Sequence, residues 1–307
     1  MFQRLFNLLI REPLELRRSA DGTGLGPEHT SFIEGLVRHC DARLKGAPLG
    51  LGDRQYLPRD FCPNVSMREG VNEARQRMGL DPMWSYDPST NTATVNIHGP
   101  LAIHASLFEM DCMGMCSYDH VQAALQEIPV AHPRLAACIL SISSPGGQVT
   151  GSAETAQMVA DLADKLPVLA FTDDCCCSAA LKIAAPATEF HAAPTADVGS
   201  IGTIIAFLDD SEYLAKLGVK WEVIASGDLK GTFYGPLSEA QRQHLVERVE
   251  ANGRRFRGWM QAHRPGLTDA DMRGQYWQAQ DAPVALLDST DLPTLDIARA
   301  YAARGMH

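Results

Sequence analysis

The chain has no run of about 20 consecutive apolar residues, so nothing in it reads as a membrane-spanning helix. It is short of positive charge, with 27 Lys and Arg against 37 Asp and Glu, a formal net charge of -10 and a pI near 5.4. Neutralising phosphates takes clustered Lys and Arg, so no nucleic-acid partner is expected, nor a polybasic attachment to anionic lipid. The opening stretch MFQRLFNLLIREPLELRR has one short apolar run, broken by Arg4 and ended by Arg11. It lacks the longer apolar core and small-residue cleavage site of a secretory signal, and a packed helix is expected there. There is no internal repeat.

Paired metal knuckles are missing as well. Of eight cysteines, Cys112 and Cys116 sit four apart with no matching second pair. The run Cys175-Cys176-Cys177 turns successive side chains to opposite faces of a strand. Buried thiols in a reducing, cytoplasmic setting are expected, with no metal and no cofactor.

What remains describes a folded chain. With 307 residues, 45% hydrophobic and 21% charged, there is room for one large domain and an extension. Residues 1–85 are polar and rich in Arg, Gly and Pro, with helices expected near 31–43 and 67–78. We expect them to form an N-terminal extension, with the main domain at 86–307.

From about residue 90 strands and helices alternate. Thr92–Ile97 has the two-residue period of a half-buried strand, and Cys138–Ile142 and Pro167–Phe171 read as buried strands. Helices are expected from Asp119 (with Val121, Leu125 and Ile128 on one face), over 152–165, from near Ser178, and from Ser238. The last opens with the capping-box pattern Ser238-Glu239-Ala240-Gln241 and places Leu245, Val249, Phe256 and Trp259 on its apolar face. A short strand is expected at Trp221–Ala225. This alternation implies an α/β class with largely parallel strands.

Three loops beside these strands carry candidate chemistry. Ser143-Ser144-Pro145-Gly146-Gly147 follows a buried strand, and its glycines allow a tight turn whose N–H groups could hold an oxyanion. Ser178, in Cys177-Ser178-Ala179-Ala180, stands where a helix begins, and a helix N-terminus favours developing negative charge. Lys230 ends Ser226-Gly227-Asp228-Leu229-Lys230, after the expected strand. Taken one at a time these are an ordinary turn, an ordinary helix cap and an ordinary solvated lysine.

Together they resemble the signal-peptide-peptidase-like serine proteases. ILSISSPGGQVTGSAE is similar to that family's strand and Ser-Pro-Gly-Gly turn. CSAALKIAAPATEFHAAPTADVGSIGT is similar to its nucleophile helix and to the Gly199-Ser200-Ile201-Gly202 signature. The lysine segment follows in order, 230 − 178 = 52 residues after the serine. The resemblance covers roughly residues 90–290. It implies a ClpP/crotonase-like fold of stacked parallel sheet and helix units, and a Ser–Lys dyad. In it Ser178 is the nucleophile, Lys230 the general base and Ser200 the hydroxyl that orients the lysine. Gly146 or Gly147, with the N–H near Ser178 at Ala179, is implied as the oxyanion hole. Homo-oligomers and protein or peptide substrates are implied too.

The stretch Met113–Asp119 is similar to the branch that matures capsids of tailed phages and prophages. A phage setting implies scaffold and capsid proteins as substrates, inside a procapsid in the host cytoplasm. Alternatives are a signal-peptide-degrading peptidase, a non-proteolytic crotonase-like acyl-CoA enzyme, and a ClpP-type triad with His191 as base. Departures from the family pattern are Leu181 and Lys182 after the serine, with Lys182 expected to be solvated, and Ala282–Asp288 near the end. Cys177 is a conceivable but disfavoured nucleophile.

Overall fold

The computed structural model describes residues 70–306 except Trp221 and Tyr234. The helix expected at 31–43, Cys40, Cys62 and most of the 1–85 segment lie outside the described residues. Those described fall into two compact units, 70–203 with 250–306, and 204–249.

The larger unit begins with α1 (Val71–Arg77), β1 (Trp84–Asp87), β2 (Thr92–His98), β3 (Leu101–Ala102), α2 (Leu107–Asp111), β4 (Cys116–Ser117) and α3 (Tyr118–Ala131). Next come β5 (Ala137–Ser143), α4 (Ser152–Ala163), β6 (Val168–Thr172), β7 (Cys175–Cys177), α5 (Ala179–Ala184), β8 (Glu189–Ala192) and β9 (Asp197–Gly199). The smaller unit holds α6 (Ser211–Lys216) and the start of α7 (Glu239–His263); β10 (Tyr276–Gln278) and α8 (Leu295–Ala303) complete the larger one.

A five-stranded sheet runs in the order β1-β2-β5-β6-β8, parallel except for the antiparallel edge strand β1. Strand β5, Ala-Cys-Ile-Leu-Ser-Ile-Ser, is apolar on both faces because both are covered. Cys138, Leu140 and Ile142 point into the main core with Val121, Leu125 and Ile128 of α3 and Ala156, Val159 and Leu162 of α4. Ala137 and Ile139 point the other way, against Ala298 and Ala302 of α8. The α/β class and the parallel strands expected from the alternation are therefore present. Val71 and Met83 are buried in the same main core, so this packing begins before residue 86.

A second sheet, β10-β9-β7, pairs β7 with β9 in parallel and β9 with β10 antiparallel. Its strands are three residues long, too short to show a period in sequence. The strand expected at Trp221–Ala225 is not formed, since 222–225 have no regular structure. Val223 and Ile224 favour strands, but no described strand pairs with them. The capping box of α7 forms as expected. The Ser238 N–H donates to Gln241 Oε1 (3.0 Å), and the Gln241 N–H donates to Ser238 Oγ (3.2 Å).

No helix among the described residues is long and apolar enough to cross a membrane.

Candidate active site

Three chain segments converge where β5, β7 and β9 end. Beyond β5 the backbone continues to pair with β7: the Ser144 N–H donates to Cys175 O (2.8 Å) and the Cys177 N–H to Ser144 O (3.1 Å). Next to β7, strand β9 runs in register with Cys177 opposite Gly199. The residues that follow, Gly146-Gly147, Ser178-Ala179 and Ser200, are thereby brought into one neighbourhood.

Ser178 holds φ 51° and ψ −120°, and its side chain makes no capping hydrogen bond. An L-residue at positive φ in this region is strained, at a cost of about 1–3 kcal/mol, and persists only where its surroundings hold it. A helix-capping serine has extended backbone and an engaged hydroxyl. Ser178 has neither, which removes the ordinary explanation for a serine here. Its N–H donates to Gly199 O (2.9 Å), and its carbonyl accepts from the Lys182 N–H (3.0 Å). Ser200 is also at positive φ (58°), and its N–H donates to Gln275 O (2.7 Å).

The glycine turn lies against this serine. A Cβ on Gly146, whose φ is +97°, would stand 2.7 Å from Ser178 Cβ and 2.9 Å from the Ala179 nitrogen. A Cβ on Gly147 would stand 2.0 Å from Leu101 O. Both positions exclude a side chain, the first because of the serine and the second because of β3. The two N–H groups differ. That of Gly146 donates to the buried Ser144 Oγ (3.2 Å). Those of Gly147 and Ala179 are not taken by any described residue. Backbone N–H groups left free among the described residues can stabilise negative charge on a carbonyl oxygen that approaches them.

The cysteines beside the serine are poorly suited to attack. Burial pushes the Cys177 thiol up to about 12 and the Cys175 thiol up to about 11, leaving little thiolate at neutral pH. Cys116 and Cys138 are buried thiols as expected, whereas Cys112 is disulfide-bonded, which corrects the thiol expected for it.

Two further expectations change. Lys182 is not solvated: it is half-buried, and its Nζ donates to Ser152 Oγ (3.2 Å) at the start of α4. Burial lowers its pKa, opposed by Glu154. Residue 182 sits on the short helix α5 between α4 and α7, so its stem has protein on both sides. His191 is buried on β8, with Nε2 2.7 Å from Glu189 Oε2, and Glu189 also accepts from the Tyr301 hydroxyl (2.9 Å). Glu189 and Tyr301 bind this imidazole into the packing of α8.

Lys230 belongs to the smaller unit, where it is exposed. Its N–H donates to Gly227 O (3.1 Å), and Gln241 Nε2 donates to Asp228 O (3.0 Å), fastening the lysine turn to the first turn of α7. Lys230 lines a cleft of about 530 Å³ together with Ser226, Asp228, Gly235 and Pro236.

Residues 160–301 match the family model described as Peptidase family S49. That segment belongs to peptidase family S49. It contains α5, Ser178, Ser200 and Lys230, so the three candidate side chains all fall inside the S49 segment. The chain is 34% identical over 145 residues to a head-tail preconnector protein of Enterobacteria phage P21, covering 47% of this chain and 29% of that protein. It is 29% identical over 221 residues to the capsid assembly protease C of Escherichia phage lambda, covering 69% of this chain and 50% of that protein. The chain thus spans half or less of the length of these relatives. A solved mutant of ClpP1 from Listeria monocytogenes overlays with a TM-score of 0.41 at 12% identity, covering 66% of this chain and 91% of that one. The overlay is partial.

Buried Arg264 donates to the carbonyls of Ala185 and Ala187 just after α5 and to Asp288 Oδ2. Sequence reasoning had no signal for Arg264, and for Asp288 only the loosely matching Ala282–Asp288 stretch.

Proposed function

We propose that this chain is a serine endopeptidase in which Ser178 attacks the peptide carbonyl and Lys230 is the general base. The observation that carries it is the conformation of Ser178, strained at the start of α5 with no cap to make and the Gly146–Gly147 turn against it. Strain of this kind on an uncapped serine aims its hydroxyl outward, as catalytic serines at strand-to-helix turns are aimed.

In the proposed cycle Ser178 Oγ bonds to the scissile carbon while its proton passes to Lys230 Nζ. The oxyanion is held by the N–H groups of Gly147 and Ala179, because the Gly146 N–H is already given to Ser144. The tetrahedral species collapses with loss of the amine, which takes the proton from Lys230 and leaves an acyl-enzyme. Water, deprotonated by the same lysine, then releases the acid and restores Ser178. Ser200, one residue beyond the carbonyl that receives the Ser178 N–H, orients the lysine.

The two phage relatives named above, one a capsid assembly protease, favour scaffold or capsid proteins as substrates, cleaved during head maturation in the procapsid. We also propose that the chain acts as a homo-oligomer, with a protease domain over 86–307 that the core residues Val71 and Met83 and strand β1 join from the end of the 1–85 extension. No described residue of 204–249 is buried, and large apolar side chains such as Ile204, Tyr213, Leu217 and Ile224 are exposed there. A surface of that kind suits association between copies.

The test is cleavage of a capsid or scaffold protein, or of casein, by the full chain and its Ser178→Ala, Lys230→Ala and His191→Ala variants. The first two should lose activity by at least about a thousandfold and the third should keep it. Activity in Ser178→Ala equal to that of the parent would overturn the reading.

A further inference from the structure

Helix α5 is six residues long, too short to be stable by itself, yet it must hold Ser178 in a strained conformation. Its C-terminal end has carbonyls with no partner inside the helix, and other elements supply the donors. Trp259 Nε1 of α7 donates to Lys182 O (3.0 Å). Arg264, just past the end of α7, donates from Nε to Ala185 O (3.0 Å) and from Nη2 to Ala187 O (3.3 Å). Trp259 of α7 and Arg264 just beyond it thus take one carbonyl in the last turn of α5 and two in the residues that follow it.

Arg264 is itself held. Its guanidinium is buried, and Nη1 donates to Asp288 Oδ2 (2.5 Å), which also accepts the Phe190 N–H (2.6 Å). A buried arginine bonded this fully has one position, and its planar fork fixes the carbonyls it meets. A cation at a helix C-terminus also complements the helix dipole. At the other end of α5 the Lys182 N–H fixes the Ser178 carbonyl. Position is therefore transmitted from Asp288 through Arg264 and about two helical turns to Ser178.

From these contacts we infer that Arg264, assisted by Trp259, is a positioning residue that keeps Ser178 in its reactive conformation. The inference rests on Ser178 being the nucleophile. Arg264 touches no reacting atom, so its loss slows the reaction of Ser178 without weakening what binds beside it.

The experiment uses a fluorophosphonate, which forms a P–O bond to an activated serine Oγ as fluoride leaves with the hydroxyl proton. For the full chain, kinact and KI are measured for the parent, Arg264→Lys and Trp259→Phe, with thermal melting of each and the labelled residue read by mass spectrometry. Lysine keeps the charge beside Asp288 but cannot reach both carbonyls at once. The expected result is a fall in kinact of about tenfold for Arg264→Lys and about threefold for Trp259→Phe, with KI unchanged. Folded variants that react at the parental kinact, or that change KI alone, overturn the inference. Should Arg264→Lys fail to fold, Trp259→Phe, which keeps an aromatic side chain but removes the indole N–H that meets Lys182 O, decides it on the same criterion. A parent that is labelled nowhere, or at a residue other than Ser178, overturns the nucleophile reading and this inference with it. Labelling at Ser178 with unaltered variants overturns the inference alone.

Discussion

The backbone N–H of Ser178 donates to the carbonyl of Gly199 at 2.9 Å, so the turn carrying the proposed nucleophile is bonded to the turn carrying Ser200. Neither turn could move without the other, and Gly199 makes this possible. Its φ of +126° and the approach of Gln275 O to within 2.8 Å of a Cβ placed there admit only glycine.

Strain at Ser178 has a thermodynamic signature. Glycine adopts a positive φ without steric cost, and the serine hydroxyl makes no capping bond to lose. Ser178→Gly is therefore expected to abolish hydrolysis while leaving the melting temperature equal to or a few degrees above that of the parent. A large loss of stability would show that the hydroxyl has a structural role.

The two glycines of the turn should fail differently. In Gly146→Ala the new methyl meets Ser178 and the Ala179 nitrogen, so activity is lost together with moderate stability. Gly147→Ala drives its methyl into the backbone of Leu101 and should destabilise the fold by about 3 kcal/mol or more, within the range for overpacked or strained sites. Urea denaturation of both variants, with hydrolysis measured alongside, separates them.

Thiol chemistry should leave the protein working. Burial holds Cys175 and Cys177 at about 11 and about 12, so they carry almost no thiolate at pH 7. Cys177→Ser is expected to retain hydrolysis within about threefold, and brief exposure to N-ethylmaleimide at pH 7 to leave the rate unchanged. Rapid inactivation that Cys177→Ser prevents would return Cys177 to consideration.

Acid should act through His120. Burial first, then the Arg75 guanidinium 3.0 Å from its Nδ1, lowers its pKa to about 4 from an ordinary 6.5. Between those values the unfolded chain binds the proton more readily than the folded one. The contribution is thus complete above about pH 6.5 and is lost as pH falls towards 4, amounting to about 3 kcal/mol at most. His120→Gln, which keeps an acceptor for Arg75, should flatten the dependence of urea midpoint on pH over that window. An unchanged slope would assign acid sensitivity elsewhere.

Much of this was legible in the sequence, for identifiable reasons. Strands β2, β5 and β6 and helices α3, α4 and α7 are long enough to show their period, and α7 also announced its cap. Ser178 and the Gly146–Gly147 turn were singled out because residue type and order both mattered, and the structure sets Gly146 against Ser178. The three-residue strands β7, β9 and β10 were not, since three residues carry no period and their pairing is entirely tertiary. Lys182 was misread because a lysine on a helix looks solvated until the helices on either side of it are known. Arg264 was invisible: its role is to satisfy carbonyls, which every residue possesses, so no residue type at positions 182, 185 or 187 points to it.

The central claim is that Ser178 and Lys230 act together, and covalent trapping tests it most directly. Full-length parent, Ser178→Ala and Lys230→Met are treated with a fluorophosphonate, and the modified peptide and its rate of formation are followed by mass spectrometry. The account predicts a single adduct on Ser178 in the parent and none in Ser178→Ala. In folded Lys230→Met the Ser178 adduct should form at least about a hundredfold more slowly, since methionine fills similar space but accepts no proton. An adduct forming on Ser178 at the parental rate in Lys230→Met would contradict it.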